Sequence, residues 1–498
     1  MTIVYPTVRL SRYTPERIAA VDTDGPVTYG ELEADIIRDA QRLLACGVSQ
    51  GDRIAMSAAN SRTWLSLIHA AVRIGAIVVP MNTRLSPSEI RRLISIIGPK
   101  LLLADKESAE RLFVDDLGEE ILTIGFGGNE SQWTQWTEME AAELAVPESV
   151  ELDDICTIVG TSGSSGEPKL VALSYGNHYF GALASAMNLG HQSTDRWLIN
   201  LPLYHVGGLS IVHRAAISGF AVVVEPHFDA DTLWNTIEEC DITHLSVVGT
   251  MLHRVLDAHG DRRCPDCVRA VLVGGGGTDR ALIQAARAAG YPVLGTYGMT
   301  ETSSQAATQS PSDSAQPADA ARPLPMCDID VRADNGESCA VDDVGQICIR
   351  GPMVADGYWQ SDGSIVPIHK SGWLLTEDVG YLDTAGYLHV LGRRDDVIIA
   401  GGENVSLREI EQAAIQCTGV HRVAILAVED PEWGQASVLF VEAAEPVQAD
   451  TVAAFLRERL AHYKIPKRII CLDRLPTTAL DKVDRSALYL WLPQQHES

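Results

Sequence analysis

Apolar residues recur along this chain in two alternating rhythms. Ile36, Ile37, Ala40, Leu43 and Leu44 fall on one face of a helix that Gly47 stops, and short continuous apolar runs follow it. The runs Asp52 to Ala58, Ile77 to Pro80, Leu101 to Ala104, Ile155 to Val159, Leu198 to Leu201, Ala221 to Val224, Leu245 to Val248 and Ala270 to Val273 predict buried strands. Helix-period segments separate them from residue 28 to about residue 300. That alternation predicts an α/β fold, with a large N-terminal domain of layered sheets and helices. Several runs end in glycine or a polar residue, as in Val273-Gly274-Gly275-Gly276-Gly277 and Leu294-Gly295-Thr296-Tyr297. Ligands of open α/β sheets gather beyond the carboxyl ends of strands.

Residues 309–325 are rich in Ser, Pro, Ala and Asp and read as a surface loop. Short strands with turns follow, including Gly345 to Arg350 and Gly386 to Leu391, and predict a β-rich subdomain over about 326–394. The final segment has its own pattern: Val423 to Val428, Val438 to Val441, an amphipathic helix from Thr451 to Tyr463, and Arg468 to Leu472. It predicts a small α+β C-terminal domain, dividing the chain into residues 1–394 and 395–498.

At 498 residues the chain is several times a usual domain length of about 100–200, so at least two domains and a large core are expected. Its longest apolar runs, such as Ile74 to Met81, fall well short of the roughly 20 residues of a membrane span, and no membrane insertion is expected. The first ten residues show no basic segment followed by an apolar one, so a cytoplasmic enzyme is the expectation. A net charge of −27 disfavours nucleic acid and anionic membranes as partners. Anionic substrates must therefore meet local positive patches. The 10 cysteines show no regular pairing, which suits a reducing compartment. Cys264-Pro265-Asp266-Cys267 invites a zinc reading, but no second Cys/His pair stands at a suitable spacing, leaving a surface turn with two thiols. The sequence does not fix the oligomeric state; a homodimer is compatible with it.

Candidate chemistry begins at Thr161-Ser162-Gly163-Ser164-Ser165-Gly166-Glu167-Pro168-Lys169, directly after an apolar run. Gly163 and Gly166 let the backbone approach a ligand, the hydroxyls add donors, and Lys169 supplies charge, a combination built to hold phosphate. It is not a Walker A loop, because the glycines stand too close together and Pro168 precedes the lysine. Taken alone, it also fits a Ser/Gly-rich linker. The run Gly274 to Gly277 is likewise compatible with a flexible turn.

Four further motifs follow in order: Thr296-Tyr297-Gly298-Met299-Thr300-Glu301, Thr376-Glu377-Asp378, Gly392-Arg393-Arg394-Asp395, and Asp481-Lys482. Together the five resemble the adenylate-forming superfamily of acyl- and aryl-CoA ligases, adenylation domains and luciferases. The resemblance extends from Thr28-Tyr29-Gly30-Glu31-Leu32 to Lys482. It implies that Thr161, Ser162, Gly163, Ser164, Ser165, Gly166 and Lys169 wrap the β- and γ-phosphates of ATP. Gly275 and Gly276 would approach the base, Tyr297 would stack on it just before Gly298, Thr300 would touch the α-phosphate, and Glu301 would ligate Mg²⁺. Asp378 would accept both ribose hydroxyls with Arg393 beside it. Lys482 would bridge carboxylate and α-phosphate as a point charge on a flexible stem. Asp395 would be the hinge of a mobile C-terminal domain, with Gly401, Gly402 and Glu403 lining a pantetheine tunnel for CoA. His205 would stand at the wall between the acyl pocket and that tunnel. The chain departs from the family pattern at Glu377 and Asp481, where glycine is usual, and at Leu407, where proline is common.

Within the superfamily, Leu201-Pro202-Leu203-Tyr204-His205-Val206-Gly207-Gly208, its continuation to Arg214, and Thr300-Glu301-Thr302-Ser303-Ser304-Gln305 resemble the 2-succinylbenzoate:CoA ligases of menaquinone and phylloquinone biosynthesis. Their substrate is a keto-diacid whose second carboxylate needs a partner. Arg214 is the candidate, since a guanidinium binds a carboxylate through two bonds, with Ser303, Ser304 and Gln305 as candidate pocket donors and Gly208 also assigned to the substrate pocket. Arg214 reads equally as a helix-surface residue. The resemblance thus implies an ATP-, Mg²⁺- and CoA-dependent acid:thiol ligase acting on a small carboxylic acid. An adenylating enzyme that passes its acyl group to an amine or a carrier protein is the alternative, encouraged by Glu377 and Asp481. A non-enzymatic homologue is a third reading, opposed by the presence of Lys169, Glu301, Asp378, Arg393 and Lys482.

Overall fold

The computed structural model describes residues 1–85, 87–112, 122–125, 134–161, 169–260, 262–276, 280–313, 316–317, 320–394, 397–400, 403–430, 434–443, 447–460, 462–477 and 483–492. The chain forms two units, Met1–Ile329 with Ile349–Leu375, and Asp330–Cys348 with Thr376–Ser498.

Two eight-stranded sheets frame the first unit. One is ordered Ile365–Pro367, Gly357–Trp359, Lys169–Ser174, Ile155–Thr161, Ile77–Pro80, Arg53–Ser57, Leu101–Ala104 and Leu122–Gly125. The other is ordered Ala307–Thr308, Val293–Tyr297, Ala270–Gly274, His244–Val248, Arg196–Ile199, Ala221–Val224, Ile18–Asp22 and Gly25–Thr28. Their central strands are parallel, with registers such as Ile54↔Val78 and Leu272↔Leu294. Parallel strands are covered on both faces, which is why they read as continuous apolar runs.

Alternation along each strand sorts side chains between layers. Ile54 and Met56, and Trp197 and Ile199, enter the core between the sheets, while Ala55 and Leu198 face outward. Helices Tyr29–Ala45, Arg62–Arg73 and Val206–Ser218 add Ile36, Ala40, Leu43, Trp64, Ile68, Leu209 and Val212 to that same core. Helices Ala230–Glu239, Gly249–His259 and Arg280–Ala288 cover the outside of the second sheet, and Pro87–Ile97 covers the first. Ile37, expected on the apolar face of its helix, is 37% exposed. One step of about 100° carries it off the stripe formed by Ile36, Ala40 and Leu43.

The Thr28 to Leu32 motif has a structural cause. Glu31 N–H donates to Thr28 Oγ1 at 3.2 Å and Thr28 N–H donates to Glu31 Oε2 at 2.9 Å, a reciprocal cap that starts the helix. Tyr29 then donates its hydroxyl to the carbonyls of Ala215 and Phe220, at 3.0 and 2.7 Å. The segment expected as a free surface loop is tied down by buried Gln309. Its amide donates to the Pro317 and Ala320 carbonyls, while its Oε1 accepts from Gly295 N–H at 2.9 Å. The expected turn is present with Asp266 exposed, but Cys264 before it packs inside the outer core, where burial pushes its thiol up to about 12.

Strands Leu388–Arg393, Trp373–Leu382, Gly345–Arg350 and Asp328–Arg332 are neighbours in that order. Farther along, Val420–Asp430 and Gly434–Ala443 form a long hairpin joined by Val397–Ala400, Glu403–Ser406 and Arg468–Leu472. Helices Leu407–Ala414 and Ala449–Arg457 pack Ile410, Ala414, Val452 and Leu456 against Ile425, Leu439 and Val441. The helix expected to reach Tyr463 stops at Arg457, and a separate 3₁₀ turn spans His462–Lys464.

The first unit buries three neighbouring imidazoles. Tyr5 Oη lies 2.8 Å from His69 Nδ1, and the rings of His178 and His213 stack at 4.2 Å. Burial, reinforced by neighbouring positive charge, holds His69 and His213 down to about 3 from an ordinary 6.5. Both are neutral when folded and take up protons on unfolding, so their contribution is complete above pH 6.5 and is lost progressively as pH falls toward 3. Unfolding free energy from urea titrations is expected to drop by about 1.4 kcal/mol per pH unit for each imidazole in that window. His213→Asn should remove one such increment from the slope; an unchanged slope would show that His213 is already protonated in the fold.

Candidate active site

Thr161 and Lys169 are cross-strand partners at the open end of the antiparallel pair Ile155–Thr161 and Lys169–Ser174. Thr161 Oγ1 donates to the Lys169 carbonyl at 3.3 Å. Ser162, Gly163, Ser164, Ser165 and Gly166, which connect them, lie outside the described residues. The Lys169 ammonium sits 5.5 Å from the centre of the Tyr358 ring. Tyr358 comes from strand Gly357–Trp359, which pairs antiparallel with Lys169–Ser174 in the register Val171↔Tyr358. Val171 and Lys169 lie two residues apart and share a face, so alternation brings the lysine over the ring.

The second sheet delivers the next group. Strand Val293–Tyr297 ends in Tyr297, and Gly298 leads into a single 3₁₀ turn, Thr300–Thr302, that carries Thr300 and Glu301. The chain then doubles back through Ser303 and Ser304 at φ 51° and 105°, left-handed values that cost a non-glycine residue about 1–3 kcal/mol. A Cβ on Gly298 would lie 1.8 Å from the Ser304 carbonyl oxygen, so only glycine permits this return. Gly275 and Gly276 follow the neighbouring strand at φ 78° and 151°. A Cβ on Gly275 would approach Val248 Cγ1 to 3.0 Å, a packing reason for glycine independent of any ligand.

Helix Tyr175–Leu189 holds this loop in place. His178 Nε2 lies 2.8 Å from Thr157 Oγ1 and its Nδ1 3.0 Å from Ser303 Oγ, tying one sheet to the loop that leaves the other. The Asn177 amide donates to the carbonyls of Pro352 and Val354, at 3.0 and 2.9 Å. Ala355 N–H then donates to the Glu301 carbonyl at 2.8 Å, and Tyr358 Oη donates to Glu301 Oε1 at 2.8 Å. Glu301 Oε2 accepts no hydrogen bond among the described residues. A carboxylate oxygen left open in this way suits Mg²⁺, which is commonly held by one or two carboxylates and the substrate's phosphates.

Arg214 is not on a helix surface. It is 2% exposed on helix Val206–Ser218, which is apolar around most of its circumference. Its Nη2 donates to Ser304 Oγ at 3.3 Å and its guanidinium lies 5.3 Å from the centre of the Trp197 ring. Among the described residues its Nε has no partner and no carboxylate pairs with it. Burial lowers its pKa to about 9, the mark of a desolvated cation lacking an anion. At the start of the same helix, exposed His205 places its ring 4.8 Å from that of Tyr204, and its carbonyl accepts from Gly208 and Leu209 N–H, both at 3.0 Å. Gly208 is required sterically: a Cβ there would lie 2.5 Å from the Pro202 carbonyl oxygen.

In the second unit, Asp378 and Arg393 are cross-strand partners, with Arg393 Nε 3.2 Å from Asp378 Oδ1. Glu377, the unusual residue in this motif, accepts from Arg393 Nη1 at 2.6 Å. Asp378 N–H donates to Thr376 Oγ1 at 3.1 Å, and Thr376 Oγ1 donates in turn to the Ile347 carbonyl at 2.8 Å. Glu403 opens strand Glu403–Ser406. Asp395, Gly401, Gly402 and Lys482 lie outside the described residues. Sequence reasoning missed Tyr358, Asn177 and His178. Nothing local marks Tyr358 as a partner of Glu301, 57 residues away.

The family described as "AMP-binding enzyme" matches residues 9–359, and "AMP-binding enzyme C-terminal domain" matches residues 409–482. The chain is 37% identical to the 2-succinylbenzoate–CoA ligase of Geobacillus kaustophilus over 97% of each sequence. It is similar to the o-succinylbenzoate CoA synthetase of Bacillus subtilis, solved in complex with ATP and magnesium ion: TM-score 0.87, 35% identity, covering 98% of this chain and 100% of that one. The same synthetase in complex with its acyl-adenylate intermediate gives a TM-score of 0.86 over 98% of both chains. An amide bond synthetase from Marinactinospora thermotolerans is 26% identical, with a TM-score of 0.84, over 98% of this chain and 99% of that one.

Gly298→Ala tests how tightly the loop is determined. Relieving the 1.8 Å contact must move Ser304 and with it the partner of Arg214. Adenylation measured by pyrophosphate release is expected to fall at least about 100-fold, as a displacement near 1 Å of positioned groups does. Wild-type activity in this variant would mean the loop adopts another path when substrate binds.

Proposed function

The chain belongs to the AMP-binding enzyme family, and on that premise we propose that it activates 2-succinylbenzoate with ATP and transfers the acyl group to CoA. The observation that carries this reading is Arg214: a buried guanidinium without an anion among the described residues, whose pairing a diacid's second carboxylate would complete. The first carboxylate attacks the α-phosphate, pyrophosphate leaves, and the thiol of CoA then displaces AMP from the acyl-adenylate. The supporting roles follow from the motifs. Thr161 to Lys169 and Thr300 bind the phosphates, Tyr297 stacks on the base beside Gly275 and Gly276, and Asp378 with Arg393 takes the ribose. Glu301 holds Mg²⁺, which when bound offsets phosphate charge. Lys482 bridges the two anions during adenylation, and residues from Asp395 onward form the mobile domain whose Gly401, Gly402 and Glu403 line the thiol path. His205 separates acyl pocket from thiol. ATP and CoA as substrates fit a cytoplasmic enzyme of menaquinone biosynthesis, and sedimentation would read whether it works as a homodimer.

A second acceptor is favoured by two observations, the likeness to an amide bond synthetase and the departures at Glu377 and Asp481. Pyrophosphate release across a panel of acids, with and without CoA and with products identified by mass spectrometry, separates the two. Succinylbenzoyl-CoA formed only with CoA is expected; an adenylate from another acid that CoA leaves untouched would refute the ligase reading. Arg214→Ala is expected to lower kcat/KM for succinylbenzoate by about 100-fold or more relative to a mono-acid, as loss of a buried charge pair does. Lys482→Ala should abolish most acyl-adenylate formation; a wild-type rate would remove that lysine from the mechanism.

A further inference from the structure

The geometry points to Tyr358 as a positioning residue that keeps the phosphate-binding lysine and the metal-binding carboxylate apart and separately aimed. The inference rests on the adenylation reading of Lys169 and Glu301. One side chain presents two chemically different surfaces to two opposite charges. The π-face lies 5.5 Å from the Lys169 ammonium, within the range where a ring's negative quadrupole attracts a cation. The hydroxyl donates to Glu301 Oε1 at 2.8 Å. Glu301 forms no ion pair with Lys169, although both contact the same ring system.

A lysine and a glutamate that meet the same tyrosine would otherwise be drawn into a salt bridge. That would withdraw positive charge from the phosphates and a carboxylate from the metal in a single step. Tyr358 opposes it by giving each a contact that does not neutralise it, the ring face for Lys169 and the hydroxyl for Glu301. An aromatic face does not neutralise an ammonium. A phenol donating to one carboxylate oxygen leaves the other with its negative charge and lone pairs.

Tyr358 is itself rigidly mounted. Its strand is fixed in the register Val171↔Tyr358, its ring packs against the central core, and the preceding segment is clamped by the two bonds from Asn177. Ala355 N–H holds the Glu301 backbone from the same segment, so backbone and side chain of Glu301 are gripped by a single stretch of chain.

The test measures binding of a non-hydrolysable ATP analogue to the full-length enzyme, by calorimetry, with Mn²⁺ and with chelator, and without the acid substrate. The ratio of the two affinities reports the protein's contribution to metal binding without any turnover. Tyr358→Phe keeps the ring and loses the hydroxyl; the ratio is expected to fall about tenfold, with metal-free affinity unchanged. Tyr358→Leu removes both surfaces and should weaken metal-free binding as well, because Lys169 turns to Glu301. Thermal unfolding of the unliganded variants separates these effects from simple destabilisation. Glu301→Gln is the reference: if it leaves the ratio unchanged, the metal role of Glu301 fails and the adenylation reading with it. If Glu301→Gln lowers the ratio and Tyr358→Phe does not, Tyr358 alone is overturned.

Discussion

Two adjacent side chains at the start of helix Tyr175–Leu189 determine whether the loop from Gly298 to Ser304 has a shape. Asn177 binds the carbonyls of Pro352 and Val354, and His178 binds Thr157 on one side and Ser303 on the other. Through these bonds the first sheet, the loop leaving the second sheet and the strand carrying Tyr358 become one rigid piece. Buried polar groups are costly when unpaired, so every partner in this set depends on the others being in place. Lys169, six residues before the helix on the adjoining strand, inherits the same frame. Groups proposed to bind phosphate and metal, drawn from distant parts of the chain, are thus referred to a single helix.

Charge is distributed sparingly. With a net charge of −27 the surface repels ATP, CoA and diacids alike, so attraction must come from a few fixed cations. The chain places them where water cannot weaken them or where an acid orients them. Arg214 is sealed against Trp197 and Ser304, Lys169 rests on Tyr358, and Arg393 is held between Asp378 and Glu377. Glu377 and Arg393 are both about half exposed, so their pairing orients the guanidinium more than it stabilises the unit.

Much of this was legible in the sequence because the governing rules are local. Continuous apolar runs located the parallel strands to within a residue or two, since such strands are buried on both faces. Glycine and hydroxyl clusters located the strand ends that bear the motifs. Arg214 was ambiguous only because helix and residue were read separately: Val206–Ser218 is apolar on nearly all sides, a pattern that belongs to a buried helix, and an arginine in it is therefore buried too. Tyr358 and His178 were illegible for another reason. Their partners are far away in sequence, and a tyrosine in a short strand or a histidine in a helix carries no local sign of the acid or serine it will meet. The domain boundary expected near residue 395 rests on the separate strand and helix pattern of the final segment and stays a proposal.

The left-handed backbone at Ser303 and Ser304 has a bearing on how this sequence can drift. Glycine would relax both positions, since it adopts positive φ without steric cost. Here each serine hydroxyl makes a bond that glycine would lose, one with His178 and the other with Arg214, so relaxing the backbone would undo both anchors of the loop. Lineages selected for heat tolerance are therefore expected to harden the surrounding scaffold and leave this pair of strained serines untouched.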